Sequence, residues 1–339
     1  MYTNEDLNFA IDQGIFSKES VSEFRLRLEN HKKTRFVDEE NFRLINSFND
    51  IFVVIACGLL LFSTLWVARS VNDSFGIFAF FVLSWCLSEF FTLKRKMALP
   101  SISLLLAFVG GVFVFFLDLY DDGSEISFVM AAAAASVSAY LHWRRFGVPI
   151  TIAAGTAAIV SLAASVELTI HPDGKTYLLP ILFICGVVTF VFAMHWDSSD
   201  RARTTNKSDV AFWLHLLAAP LIIHPVFSSL GIFDGSESVF GMLLVIILYA
   251  LMTLLSITVD RRAFMVSSLV YVVFAISNIL REIGGLNYSF ALTGMLIGSG
   301  LLILSVYWQE VRAAIITRLP ETIQKYVPEL HSRRVQSGS

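Results

Sequence analysis

Charge is scarce in this chain. Asp, Glu, Lys and Arg make up 16% of its 339 residues, where a water-covered globular protein carries about 25%. Too little polar surface remains to clothe a soluble fold of this length, so lipid becomes the natural solvent. Net charge is only −3, and nothing argues for a nucleic-acid partner. Cysteine is scarcer still: Cys57, Cys86 and Cys185 are odd in number and all fall in apolar runs. That excludes a disulfide scaffold and a Cys/His zinc finger. A Walker loop is absent, which excludes an ATP-driven motor. GxSxG, HExxH and a soluble catalytic domain are absent as well. The paired acidic motifs of a magnesium-dependent lipid phosphotransferase are missing, with Asp197, Asp200 and Asp209 coming nearest. No haem motif occurs, yet histidines toward both membrane faces leave haem ligation open, so the cofactor stays unknown. The first 47 residues are polar, which is not the pattern of a cleavable signal peptide.

What the chain does have is apolar length, with 55% apolar residues and a mean hydropathy of +0.68. A helix crossing about 30 Å of hydrocarbon needs roughly 20 apolar residues. Ten such runs occur, near 50–68, 74–92, 100–119, 126–143, 147–166, 178–196, 209–228, 238–259, 263–281 and 290–308. The gaps hold turn formers or charge, such as KRK at 94–96 and HPDGK at 171–175. Spans four and five, and spans eight and nine, have the narrowest gaps. Each pair reads as a tight hairpin, because a fused run is too long for one crossing. Basic residues then orient the bundle. With the N-terminus inside, 22 of the 25 Lys and Arg residues lie on cytoplasmic segments, and only Arg69, Lys175 and Arg281 lie outside. The sequence predicts an all-α membrane protein of about ten transmembrane helices with both ends cytoplasmic.

Three regions follow: a cytoplasmic helical segment at 1–47, a ten-span domain at 48–310 and a cytoplasmic amphipathic tail at 311–339. Within the first, residues 3–31 read as a helical hairpin. Thr3 with Asp6 caps one helix, Gly14 ends it, and Phe16 and Ser17 open the next. Residues 38–49 lead helically into span one. Helices this short bury little core, so they dock on the membrane domain, on lipid or on a cytoplasmic protein partner. After Trp308, VRAAIITRLPETIQKYVPEL reads as an interfacial helix broken at Pro320.

Ionisable groups inside a bilayer are costly and therefore candidates for function. Most here sit at span ends; Glu89 lies near the KRK cluster and can snorkel toward it. No carboxylate lies at the midplane, which weakens a sodium/proton antiporter reading. Span seven, DVAFWLHLLAAPLIIHPVF, stands apart. It carries Trp213, His215, Pro220, His224 and Pro225, and the prolines free the carbonyls of Leu216 and Leu221. A broken helix with free carbonyls beside histidines suits a substrate or ion pathway. His215 and His224 are nine residues apart, on opposite faces of a straight helix and about 13 Å apart along it. A shared metal site therefore needs a kink, and whether any metal binds stays open. The plain alternative gives both imidazoles hydrogen bonds to neighbouring helices. A second cluster lies at the cytoplasmic edge, where His142, His195, Asp197, Asp200 and Asp209, with His215 deeper, would form a polar vestibule. Histidine with carboxylates suits a divalent metal or a proton relay. The plain alternative is a wet loop with Ser208 or Asp209 capping span seven.

Small residues mark spans four and five, with AAAAAS at 131–136 and AAGTAA at 153–158. Gly294 and Gly298 stand at GxxxG spacing in span ten. Such faces suit a tight bundle core or a homo-oligomer seam.

The stretch HWDSSDRARTTNKSDVAFWLHLLAAPLIIHPVF, residues 195–227, resembles a segment of uncharacterised bacterial polytopic inner-membrane proteins. The lead DLNFAIDQGIFSKESVSEF and the ending RLPETIQKYVPEL are similar to theirs too. The resemblance spans most of the chain, but only 195–227 is distinctive. It implies a bacterial inner (cytoplasmic) membrane location and no activity.

The leading functional expectation is a secondary transporter or channel for a small solute or ion, with span 209–228 broken and lining the site. Five spans plus five would suit inverted repeats. A membrane sensor or assembly factor using the N-terminal hairpin, and an intramembrane lipid-modifying enzyme, are the alternatives. Membrane lipids are the partners common to all three.

Overall fold

The computed structural model describes residues 48–120, 125–171, 175–201, 203, 205–230, 239–284 and 288–328, with positions 9, 11, 13–17 and 19–24 near the N-terminus. The chain divides into two units, one of Met1–Phe42 with His331–Ser339 and the other of Arg43–Leu330. In the first, Gly14 takes a φ of +70° at the end of a helical turn, a backbone that favours glycine. Ser17 opens the next turn by accepting a hydrogen bond from Ser20 N at 3.1 Å. The expected Thr3/Asp6 cap and most of the 38–49 helix lie outside the described residues.

Among its described residues the second unit has helices joined by short turns and no strand, and it holds ten helices long and apolar enough to cross a membrane. They are α1 (Phe48–Arg69), α2 (Asp73–Ser88, continued by a π-helical turn Glu89–Lys94), α3 (Ala98–Leu119), α4 (Glu125–Phe146) and α5 (Ile150–Ile170). Then come α6 (Lys175–Ser199), α7 (Asn206–Ser228), α8 (Val239–Val259), α9 (Ala263–Gly284) and α10 (Ser289–Val306). The tail adds α11 (Trp308–Ile316) and a last turn, α12 (Glu321–Gln324). Both narrow gaps prove to be tight hairpins. Gly147 (φ +64°) turns α4 into α5, and Asp260 (φ +60°) turns α8 into α9. Asp is one of the few non-glycine residues that tolerates that region.

Half of the apolar window of α7 is buried inside the protein, against 11% for α1 and for α10. The helix carrying His215 and His224 therefore sits among other helices, while α1 and α10 are largely exposed. Around α7 pack α5, α6 and α9. Ala218, Ala219, Ile223 and Phe227 of α7 meet Met242 and Val245 of α8 and Phe264 and Ala275 of α9 in one buried cluster. A Cβ on Gly186 of α6 would lie 2.8 Å from the carbonyl carbon of Leu221 and 2.9 Å from the amide nitrogen of Ile222. Only glycine lets the two backbones approach so closely.

The alanine faces of α4 and α5 form bundle core: Ala131, Ala132, Ala135 and Ala139 are at most 3% exposed. Gly294 and Gly298 differ, since a Cβ at either would meet nothing within 4 Å. The two five-helix halves do not repeat in packing. α2 packs closely on α3, whereas its counterpart α7 packs closely on α9.

One expectation is corrected. Span seven is not broken, because α7 runs as one helix from Asn206 to Ser228 through both prolines. Each proline removes one hydrogen bond, but tight contacts on several faces hold the helix, and hydrocarbon offers an unwound backbone no water to bond. Its start also shifts. Thr205 is the N-cap, its Oγ1 accepting from Lys207 N at 3.3 Å, in place of Ser208 or Asp209.

Candidate functional site

The loops after α2, α4, α6 and α8 and the tail after α10 share one end of the bundle, the end rich in basic residues. There the last turn of α6, the first turns of α7 and the α8–α9 hairpin bring together a carboxylate, an imidazole and a guanidinium. His215 Nε2 lies 2.8 Å from Asp197 Oδ2, with both side chains 0% exposed. The other carboxylate oxygen accepts from Arg261 Nη2 at 2.7 Å. Arg261 also donates to the carbonyl and hydroxyl oxygens of Ser208, at 3.1 and 3.3 Å. A carboxylate facing a guanidinium is ionised, so His215 donates through Nε2. Its Nδ1 is buried with no hydrogen-bond partner among the described residues, and Phe190 and Phe264 lie beside the ring at 5.5 and 6.1 Å between centroids.

A second buried ion centre adjoins the first. Asp260 Oδ2 accepts from Arg203 Nη1 at 2.8 Å, and its Oδ1 accepts from Trp308 Nε1 at 2.8 Å. Arg312 Nε stands 3.6 Å from the same Oδ1, and its Nη2 donates to the Pro328 carbonyl at 2.7 Å. Burial pushes the Arg203 guanidinium below its ordinary value, and neighbouring Arg261 adds to the effect while Asp260 opposes it. An arginine stays charged through such a shift. Arg201 reaches the tail as well, donating to the carbonyls of Val327 and Gln324, each at 3.1 Å. Arg262 lies over the Trp308 ring at 5.0 Å. The tail therefore folds back onto protein, with Trp308, Arg312, Ile316 and Val327 all buried. As an interfacial helix it would instead lie on lipid.

The expected vestibule is divided. Asp197 and His215 meet, but their surroundings are dry. Asp200 closes its own loop, its Oδ2 accepting from Thr205 N and Oγ1 at 2.8 and 2.7 Å. His195 is exposed and Asp209 half-buried. His142 sits elsewhere, 0% exposed among Trp85, Phe108 and Phe146, with Nδ1 3.4 Å from Thr151 Oγ1. On α7, Trp213 packs beside Ala153 and Ala193 in a small apolar cluster. Pro220 is exposed and Pro225 buried. His224 is exposed near the opposite end, where its Nδ1 pairs with Tyr271 Oη at 2.7 Å. The two α7 histidines thus serve separate partners, which rules out a shared site in this structure. Among the described residues no group of three His, Cys, Asp or Glu side chains could hold a metal ion. Glu89 takes a two-pronged pair from Arg145, both contacts 2.8 Å, with Lys94 of the KRK cluster adding a longer-range attraction.

Sequence reasoning missed Arg203, Asp260, Arg261, Trp308 and Arg312 as site members. From sequence, the three arginines among them count only toward the orientation of the bundle. No sequence signal marks them, because DRR at 260–262 has the pattern of an ordinary charged hairpin at the basic end. Comparison with protein-family models, curated proteins and solved structures finds no match.

Proposed function

We propose that this membrane protein is a secondary transporter or channel for a small solute or ion in a bacterial inner membrane, with both termini cytoplasmic. In this reading the buried ion-pair network is its inner gate, held shut. The supporting observation is where the charges lie. Asp197, Asp260, Arg203, Arg261 and Arg312 are buried at the junction of α6, α7, the α8–α9 hairpin and the tail. Apolar residues would close a bundle end at least as stably, since a buried ion pair is weak evidence for stability. Charged pairs differ in that each partner can be rehydrated when the segments part, which makes closed and open arrangements close in free energy. The prolines of α7 favour the same reading, because a helix lacking two hydrogen bonds bends more readily. Both oxygens of Asp197 are committed to His215 and Arg261, which leaves it poorly placed for acid–base chemistry on a lipid.

The test uses a single cysteine at Ala219, one turn beyond His215 and 0% exposed, with the native cysteines replaced. In sealed proteoliposomes, Arg261→Gln and Asp260→Asn should increase its labelling by an impermeant thiol reagent added at the basic end. The parent, loaded with a panel of inorganic ions and small solutes, should show flux that His215→Ala alters. If labelling stays at the parent level in both variants, or His215→Ala leaves all flux unchanged, the gate reading is wrong.

A further inference from the structure

At the end of the bundle opposite the network, α1, α2 and α3 enclose an open apolar groove of about 280 Å³. We propose that this groove binds one membrane phospholipid, with its phosphate on Arg69 and an acyl chain along Leu65, Ile77, Phe80, Leu106 and Gly110. The inference is independent of the transporter reading.

Three observations converge on that occupant. Arg69 ends α1 and lines the groove mouth. It is exposed, and no hydrogen bond or ion pair to it is found among the described residues. A guanidinium at the level where α1 leaves the membrane meets phosphodiesters, and its planar fork suits phosphate oxygens. The groove also approaches the depth of a leaflet. On α3 the lining runs from Leu106 to Val114, eight residues or about 12 Å at 1.5 Å per residue. Half of a ~30 Å hydrocarbon core is ~15 Å, so with Arg69 at its mouth the groove spans most of one leaflet.

Finally, adjacent glycines build the trough. A Cβ on Gly111 would lie 2.8 Å from Phe81 Cβ, so that glycine lets α2 approach α3; a Cβ on Gly110 meets nothing within 4 Å, so that one leaves space. A comparable groove of about 290 Å³ between α3, α4 and α5, lined by Phe113, Ala132 and Ser161 among others, has no charged residue in its wall. It offers a chain-shaped surface without a phosphate anchor.

The test is native mass spectrometry of the delipidated full chain titrated with phosphatidylglycerol, reading the affinity of the first lipid bound. Arg69→Gln should weaken it about fivefold, the effect of one basic side chain at a membrane surface. Gly110→Leu should weaken it by a similar factor through filling the trough. Leu106→Trp, at a position 53% exposed, fills the same trough should the glycine variant fail to fold. Arg281→Gln, a basic residue at the same end but outside the groove, should leave the affinity unchanged. The proposal is overturned if Arg69→Gln or the folded groove-filling variant binds the first lipid like the parent. It is equally overturned if Arg281→Gln weakens binding as much as Arg69→Gln, or if millimolar inorganic phosphate displaces the lipid.

Discussion

Replacing Asp197 by leucine tests how the buried network is held together. The substitution leaves two groups stranded. Arg261 keeps only neutral partners, the oxygens of Ser208 and the Phe212 ring, and the Nε2–H of His215 loses its single partner. Removing one member of a buried ion pair costs about 3–5 kcal/mol. Arg261→Met should cost a similar amount, because the Asp197 carboxylate, 0% exposed, then keeps only the His215 imidazole as a hydrogen-bond partner. The double variant Asp197→Leu/Arg261→Met removes both charges together. Its remaining defect is the orphaned His215 N–H, worth about 1–3 kcal/mol. The two single costs sum to about 6–10 kcal/mol, so the double variant should be more stable than additivity predicts by at least about 3 kcal/mol. Adding His215→Phe removes the last orphan and should bring stability nearer the parent. The assay is reversible unfolding of purified protein in mixed micelles, titrated with sodium dodecyl sulfate. Additive losses, or a loss below about 1 kcal/mol for either single variant, would refute the view that these charges are dry and mutually dependent.

Other outcomes follow from the same contacts. Gly186→Ala drives a methyl group into the backbone at Leu221 and Ile222 and should destabilise by about 1–3 kcal/mol, whereas Gly294→Ala, facing open space, should change stability by less than about 0.5 kcal/mol; thermal melts in detergent compare them. Trp308→Phe keeps an aromatic ring under Arg262 but removes the hydrogen bond to Asp260. It should loosen the tail, read as faster tryptic cleavage at Arg318 and Lys325. Arg145→Gln breaks a pair whose side chains are 54% and 35% exposed; water screens such a pair, so the same micellar titration should find the variant as stable as the parent.

The sequence was legible wherever one physical requirement dominated. Crossing hydrocarbon demands about 20 apolar residues, and each of the ten runs became a helix. Even the doubtful cuts at Gly147 and Asp260 were readable, because no fused helix could fit a bilayer. The alanine faces of α4 and α5 pack as core, but a Cβ at Gly294 or Gly298 would meet nothing within 4 Å among the described residues, since a small-residue face does not say whether its partner is intramolecular. Pro220 and Pro225 were over-read as a break, because a lost hydrogen bond is a local cost that packing on α6 and α9 outweighs.

Sequence by itself determined that lipid is the solvent of this chain, how many times it crosses, and that its basic residues cluster on alternate connections. Those properties depend on composition and run length, which need no knowledge of neighbours. Tertiary structure alone decided which charges are dry. Asp197 and His215 are eighteen residues apart and Asp260 and Trp308 forty-eight apart, and whether such groups meet depends on which helix ends pack together. The same holds for Arg261 and Arg312, which any count places among solvated loop charges and which the folded bundle buries against Asp197 and Asp260.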